Sequence, residues 1–319
     1  MNRTALLLAL LLVASPAAPQ HYPHKPVRLI APAPPGSPVD IRARWVSDKL
    51  APLLGQPLVV ENRAGAGGNI GTEAAARSAA DGYTLVIVHQ GTMAINPHLY
   101  ARIGYDPLVD FEPVTRLLDS VLMLAVHPQV PASSVADLLR LAREQPGKLS
   151  YGSSGIGTPP HLAAELLRRS AGIDVQHVPY KGATPALTDL IAGRIAFTID
   201  SFTMQLPQVK AGKLRALAVT GVKRAAAVPE VPTIAESGLV GYEYRSWMGV
   251  AAPAGTPKEI IARLNAEIVR ALRTAEAREW FAAQGADAVG DAPEEFGAVI
   301  RADYARWGQI IREAGIKAD

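Results

Sequence analysis

Cysteine is absent from the 319 residues. That excludes disulfides, a thiolate nucleophile and thiolate metal sites, and with them a lipid anchor carried on an N-terminal cysteine. Charge is sparse: Asp, Glu, Lys and Arg make up 19% of the chain, the formal net charge is +3, and no run of Lys and Arg marks a nucleic-acid footprint. Beyond the N-terminal start, no apolar segment approaches the roughly 20 residues that a membrane-spanning helix needs. No repeat at a period of roughly 20–50 residues is visible, which disfavours a solenoid. The seven histidines show neither HExxH nor His-x-His spacing, so no metal site is expected. No pair of carboxylates stands out for acid–base work.

What is present begins with "MNRTALLLALLLVASPAAPQ". Arg3 supplies a positive start, Ala5 to Ala14 an apolar stretch, and Ser15-Pro16-Ala17 the small residues of a cleavage site. Residues 1–20 are expected to be a signal peptide cut near Ala17, which directs the protein to the periplasm. The hydrophobic fraction, 49%, suffices for the cores of two domains. Short β-rich apolar runs such as "VRLIAPA", "YTLVIVHQ", "VLMLAVHP" and "IAFTIDS" alternate with helix-period segments such as Val39–Leu54 and "SSVADLLRLAREQ". That alternation predicts an α/β fold with mostly parallel sheets. Breaks at His127–Ser134, Lys223–Thr233 and Ala251–Pro257 suggest a discontinuous first domain, residues 21–124 plus 248–319. A second domain, residues 125–247, is inserted within it, with a cleft between the two.

Four helices are expected to open on Ser or Thr followed by Pro: Ser37-Pro38, Thr158-Pro159, Thr184-Pro185 and Thr256-Pro257. The hydroxyl caps an orphan N–H, and Pro arrives with its φ already helical. At Ser37 and Thr158 the preceding backbone is rich in Gly or Pro, so such a helix start is also a candidate anion site. The stretch "YGSSGIGTPPHLAAELL", Tyr151–Leu167, sharpens the question of what its bare backbone approaches. A phosphate loop would end in Lys-Ser/Thr, which neither "SSGIGTPP" nor "GAGGNIG" does. Acyl transfer would want G-x-S-x-G, which "GSSGIG" misses by one position. His161, in the first turn after the loop, could touch a ligand or cap the loop. A small carboxylate asks for least, because N–H groups and hydroxyls at two helix starts can hold it without an arginine.

The motifs together resemble those of the Bug or TctC-like extracytoplasmic solute-binding receptors of tripartite tricarboxylate transport. The blocks "YPHKPVRLIAPAPPGSPVDIRAR", "LGQPLVVENRAGAGGNIGTEAAARSAADGYTLVI", "GTMAINPHLY", "PGKLSYGSSGIGTPPHLAAELL", "HVPYKGATPALTDLIAGRI" and "VPTIAESG" occur in the family's order and cover nearly the whole chain after residue 20. The resemblance implies a two-domain periplasmic binding protein fold of type II-like architecture, closing on a ligand between its domains. It implies a small organic carboxylate as ligand (a di- or tricarboxylate, an amino acid or an aromatic acid) and no cofactor. Membrane transporter subunits or a sensor protein are the implied partners, and the protein is expected to be a monomer and no enzyme. By motif position the ligand loop of the first domain holds Pro35, Gly36, Ser37, Val39 and Asp40. Ser37 stands where the family usually has a second Gly, and Val39 where it often has Thr or Ser. Thr92 matches a hydroxyl contact, Ser153, Ser154, Gly157 and Thr158 the loop of the second domain, and Asp200 a recurrent acidic position. His89, Gln90 and Trp247 stand where side chains sort ligands, and Tyr180 and Lys181 where packing or solvation is expected. The competing expectation is an exported serine hydrolase using Ser153 or Ser154.

Overall fold

The computed structural model describes residues 22–180 and 182–317, so the expected signal peptide, residues 1–20, and Lys181 lie outside the described residues. The chain runs β1 (Val27–Ala31), α1 (Pro38–Leu54), β2 (Leu58–Asn62), α2 (Asn69–Ala76), β3 (Thr84–His89), a π-helical turn (Gly91–Ile95), α3 (Asn96–Leu99) and β4 (Phe111–Ser120). It continues through β5 (Leu122–Val126), α4 (Val135–Glu144), β6 (Ser150–Ser153), α5 (Pro159–Ala171), β7 (Gln176–Pro179), α6 (Ala183–Ile191), β8 (Phe197–Ser201), α7 (Phe202–Lys210) and β9 (Arg215–Val219). It ends with β10 (Ser246–Pro253), α8 (Lys258–Leu272), α9 (Ala275–Ala282), β11 (Ala286–Ala288) and α10 (Pro293–Ala314).

These strands form two sheets, β11-β4-β10-β3-β1-β2 and β7-β6-β8-β5-β9. The α/β character matches the sequence, but the parallel majority does not. Parallel pairing is confined to β1 with β2 and β3, and to β6 with β7 and β8. Strands β4, β5 and β10 pair antiparallel with their neighbours. The physical reason is connectivity: the chain leaves the first sheet on β4, enters the second on β5 after Val121 alone, and returns on β10. Carrying the chain across in this way, β4 and β5 are not linked to their own sheet neighbours by the strand–helix–strand crossovers on which parallel order rests.

The capping expectations divide. Ser37 caps α1, its Oγ accepting from the Asp40 N–H at 3.3 Å. Ser134 does the same for α4 at 3.1 Å. Thr158 sits at the N-cap of α5 without a capping bond. Thr184 lies inside the first turn of α6, whose cap is Gly182, and Thr256 precedes Pro257, the cap of α8. Pro fixes φ at the residue it occupies but does not select which neighbour becomes the cap.

The cores also cross the predicted division. Buried Leu124, Tyr151, Leu162, Phe197 and Leu217 around the second sheet share one apolar cluster with Ile95 and Leu99, which follow β3, and with Trp307 and Ile311 of α10. The N-terminal half of α10 packs Phe296 and Ile300 with Trp247 and Val88 of the first sheet. The last helix therefore belongs to both cores.

Candidate functional site

The parallel strands of each sheet end at the same edge, and the loops that leave those ends hold most of the predicted residues. In the first sheet β1 runs into Pro32–Ser37, β2 ends at Asn62 and β3 ends at His89. In the second, β6 runs into Ser153–Thr158, β7 into Tyr180 and β8 into Asp200 and Ser201.

The first loop is organised around Asp40. This residue is 2% exposed, and its carboxylate accepts from the Gly36 N–H at 2.8 Å, Asn62 Nδ2 at 2.9 Å and Arg44 Nε at 3.0 Å. Burial works to raise its pKa, but the bonds from Arg44, Gly36 and Asn62 outweigh burial and hold the carboxyl below its usual range. Asp40 is thus a brace for the loop. Gly36 adopts φ +76, and its amide is engaged by the same brace. Pro38 has no N–H and Ser37 takes that of Asp40, which leaves the Val39 amide of the first turn without a partner among the described residues.

Thr92 and His89 close on one another. Thr92 Oγ1 donates to the His89 carbonyl at 3.1 Å, and the Thr92 N–H donates to His89 Nδ1 at 3.4 Å. Burial lowers the His89 pKa to about 4, so the ring is neutral near pH 7. With Nδ1 accepting, the proton sits on Nε2. A Cβ placed on Gly68 would lie 3.3 Å from that Nε2, 2.9 Å from Thr92 Cγ2 and 3.1 Å from the Pro32 carbonyl. Pro32, His89 and Thr92 therefore pack closely over Gly68, and His89 Nε2–H has no hydrogen-bond acceptor among the described residues.

The second loop is less bare than its composition suggests. Both Pro159 and Pro160 lack an N–H at the start of α5. Thr158 donates from both its N–H and its hydroxyl to the Gly155 carbonyl, at 3.3 and 2.7 Å, and Gly157 donates to His161 Nδ1 at 3.0 Å. The amides of Ile156 and His161 are left. His161 is buried and fixes the loop, and burial, then the neighbouring His177, push its pKa down to about 4. Gly157 has φ +75, and any Cβ there would collide with Leu99 of α3. That approach brings the loop of the second sheet against the first unit.

Ser153 meets a partner that sequence reasoning missed. Its Oγ lies 2.7 Å from His177 Nε2. The His177 ring stacks between Tyr151 at 4.8 Å and His161 at 4.1 Å. Tyr151 donates to Glu165 at 2.7 Å, and Glu165 pairs with Arg168 at 2.9 Å. Ser153 is 0% exposed, and its hydroxyl also bridges the Gly155 carbonyl and N–H. The signal for His177 was the strand pairing that sets it opposite Tyr151, which no local motif reveals. Ser154 follows on the same loop, its carbonyl accepting from Gly182.

Gln90 and Trp247 stand elsewhere. Gln90 donates to the Arg245 carbonyl at 2.9 Å and Asp303 at 2.8 Å and accepts from Tyr244 at 3.1 Å, while Trp247 Nε1 donates to Asp303 at 2.6 Å. Their side-chain polar atoms are all engaged where the sheets join. Asp200, 8% exposed, is in place at the end of β8 and accepts from the Ser201 N–H at 2.7 Å. A cavity of about 390 Å³ lies apart from all these residues, between the joining strands at Asp119 and Arg245 and the turn at Gly285. Among the described residues no group of acids and histidines could hold a metal.

Residues 42–316 match the family described as Tripartite tricarboxylate transporter family receptor. Protein BugT of Bordetella pertussis is 38% identical over 324 aligned positions, covering 99% of each chain. Among solved structures, R. palustris Rpa4515 with adipate superposes with a TM-score of 0.82 at 39% identity, covering 93% of this chain and 99% of that one. MatC from Rhodopseudomonas palustris, with bound malate, gives a TM-score of 0.76 at 31% identity over 91% of this chain and all (100%) of its own.

Proposed function

Because this chain belongs to the tripartite tricarboxylate transporter receptor family, we propose that it is a periplasmic receptor that captures a small organic carboxylate between its two α/β units. The observation that carries the reading is the meeting of the two sets of strand ends. Gly157 of the second loop abuts Leu99 of α3 in the first unit, and the loops at the strand ends leave donors at Val39, His89, Ile156 and His161 without a partner among the described residues. Each such bond to a carboxylate contributes on the order of 1.5–3 kcal/mol, so a few suffice for micromolar affinity. The division near residues 124 and 247, export with cleavage near Ala17, action as a monomer, and delivery to membrane subunits or a sensor belong to the same proposal. That two relatives were solved with adipate and with malate supports acids of that size.

Thermal denaturation with adipate, malate and an acidic amino acid tests this. A ligand at a hundred times its Kd adds about 2.7 kcal/mol, which raises the midpoint by roughly 4 °C. A panel of organic acids that leaves the midpoint unmoved overturns the receptor. The Ser153–His177 pair gives the hydrolase a specific geometric basis, but a fully buried hydroxyl offers no approach to an ester. Acids and esters recovered unchanged after incubation support the receptor, and ester cleavage lost in Ser153→Ala supports the enzyme.

A further inference from the structure

The cavity of about 390 Å³ belongs to neither unit alone. One wall is the segment that follows β9, Gly221 to Ala227, and the other is the turn and strand from Gly285 to Val289. The joining residues Asp119, Val121 and Arg245 complete the lining. Lys223 Nζ reaches Asp287 Oδ2 across the units at 3.1 Å. Beside that pair Gly285 lies so close to the second unit that an added Cβ would stand 2.7 Å from Phe202. At the joining residues themselves, Asp119 pairs with Arg116 at 2.9 Å and with Arg245 at 3.1 Å.

Sheet order fixes where this cavity lies relative to the strand-end loops. In the first sheet β4 and β10 stand between β11 on one side and β3, β1 and β2 on the other. In the second, β5 stands between β9 on one side and β8, β6 and β7 on the other. Contacts between the units keep the same order. Asp287 of β11 meets Lys223 after β9, while Leu99, after β3, meets Gly157, after β6. The cavity and the candidate ligand loops therefore flank the joining strands on opposite sides. Two units that turn about those strands cannot narrow both gaps together.

We propose that the cavity behind the joining strands regulates ligand capture: its contacts between the units, Lys223–Asp287 and Gly285–Phe202, hold the receptor open, and prising them apart tightens binding at the loops. The proposal rests on the receptor reading above and extends it to the control of the same site. A ligand that closes the loops must part these contacts, so its apparent affinity depends on residues that never touch it. The side chains of Lys223 and Asp287 are 74% and 57% exposed, so the ion pair is weak alone, and the close packing at Gly285 shares the role.

Isothermal titration with adipate and malate tests it, or with the acid that most raises the melting midpoint if neither binds. Ala226→Trp adds bulk to an exposed position of the cavity wall, and Asp287→Lys sets a like charge opposite Lys223. Each is expected to tighten binding by on the order of 10-fold, as a larger closed fraction requires. Lys223→Cys with Asp287→Cys, bridged by a short reducible bis-methanethiosulfonate, weakens binding, and reduction of the bridge restores it. The chain has no cysteine of its own to compete for the reagent. Spin labels at Ile70→Cys and Thr184→Cys, on the helices that follow β2 and β7, read the loop side directly. Without ligand, their separation should shorten in both cavity variants. A cavity variant that leaves affinity or separation unmoved, or a bridge that leaves affinity unmoved, overturns the proposal while the receptor stands. If no organic acid binds, the receptor reading fails, and the label separation still decides whether the cavity sets the angle between the units.

Discussion

Burial pushes the Asp200 carboxyl from 3.8 up to about 6, opposed by the Ser201 N–H that donates to it. In the unfolded chain the group titrates near 3.8, so as pH rises the unfolded state loses its proton first. Stability contributed by the protonated form is complete below that value and is lost as pH rises to about 6. A shift of two units corresponds to about 3 kcal/mol. Asp200→Asn is therefore expected to raise the melting midpoint at pH 7.5 by several degrees, with the gain fading to nothing below pH 4. Melting curves across that range check it, and a difference independent of pH would show that the carboxylate is not desolvated. Among the site residues, sequence captured what is local. Ser37 as a cap and Gly157 as backbone brought against a neighbour both follow from residue type and immediate context. It could not foresee distant partners: Asp40 is tied to Asn62, Gln90 and Trp247 to Asp303, and Ser153 to His177. No spacing rule links such pairs, because sheet register and helix packing bring them together.

The same division holds for elements. Strands β1, β3, β5 and β8 are short apolar runs and legible as such. Strand β4, at ten residues, was not, because "FEPVTRLLDS" carries Pro113 and charged residues and its buried positions do not alternate. Two register shifts in its pairing with β10 break the period of two. Helix α10 was legible as a helix, but its second face was not: its 22 residues begin on the first sheet and end with Trp307 and Ile311 in the core of the second. Trp307 is fully buried and meets Tyr244 edge-on at 5.5 Å. Trp307→Ala is expected to cost about 3–5 kcal/mol, as large aromatic truncations in cores do. Phe296→Ala, at the other end of the helix, should cost a comparable amount. Urea denaturation measures both, and a Trp307→Ala variant within about 1 kcal/mol of wild type would show that the end of the helix rests loosely on the second sheet.

At the scale of the molecule, two α/β units joined by strands would by default unfold separately. The packing argues against that here. The cluster around the second sheet takes in Ala94, Ile95 and Leu99 from the segment after β3 and Trp307 and Ile311 from α10. Gln90, Tyr244, Trp247 and Asp303 then form one hydrogen-bonded group where the joining strands meet that helix. Arg169 of α5 reaches the Ile310 carbonyl and Glu313 at the far end of α10. Loss of the first unit would strip the second core of part of its apolar lining, and the buried polar group would lose its partners. Calorimetry of the protein is expected to show a single transition, with calorimetric and van't Hoff enthalpies in a ratio near one. Two resolved transitions would mean that the shared cluster contributes little and that each sheet carries its own core. The same packing limits closure on a ligand to rotation about this junction. That rotation would carry the loops at the strand ends of the two sheets toward one another, where the proposed site lies.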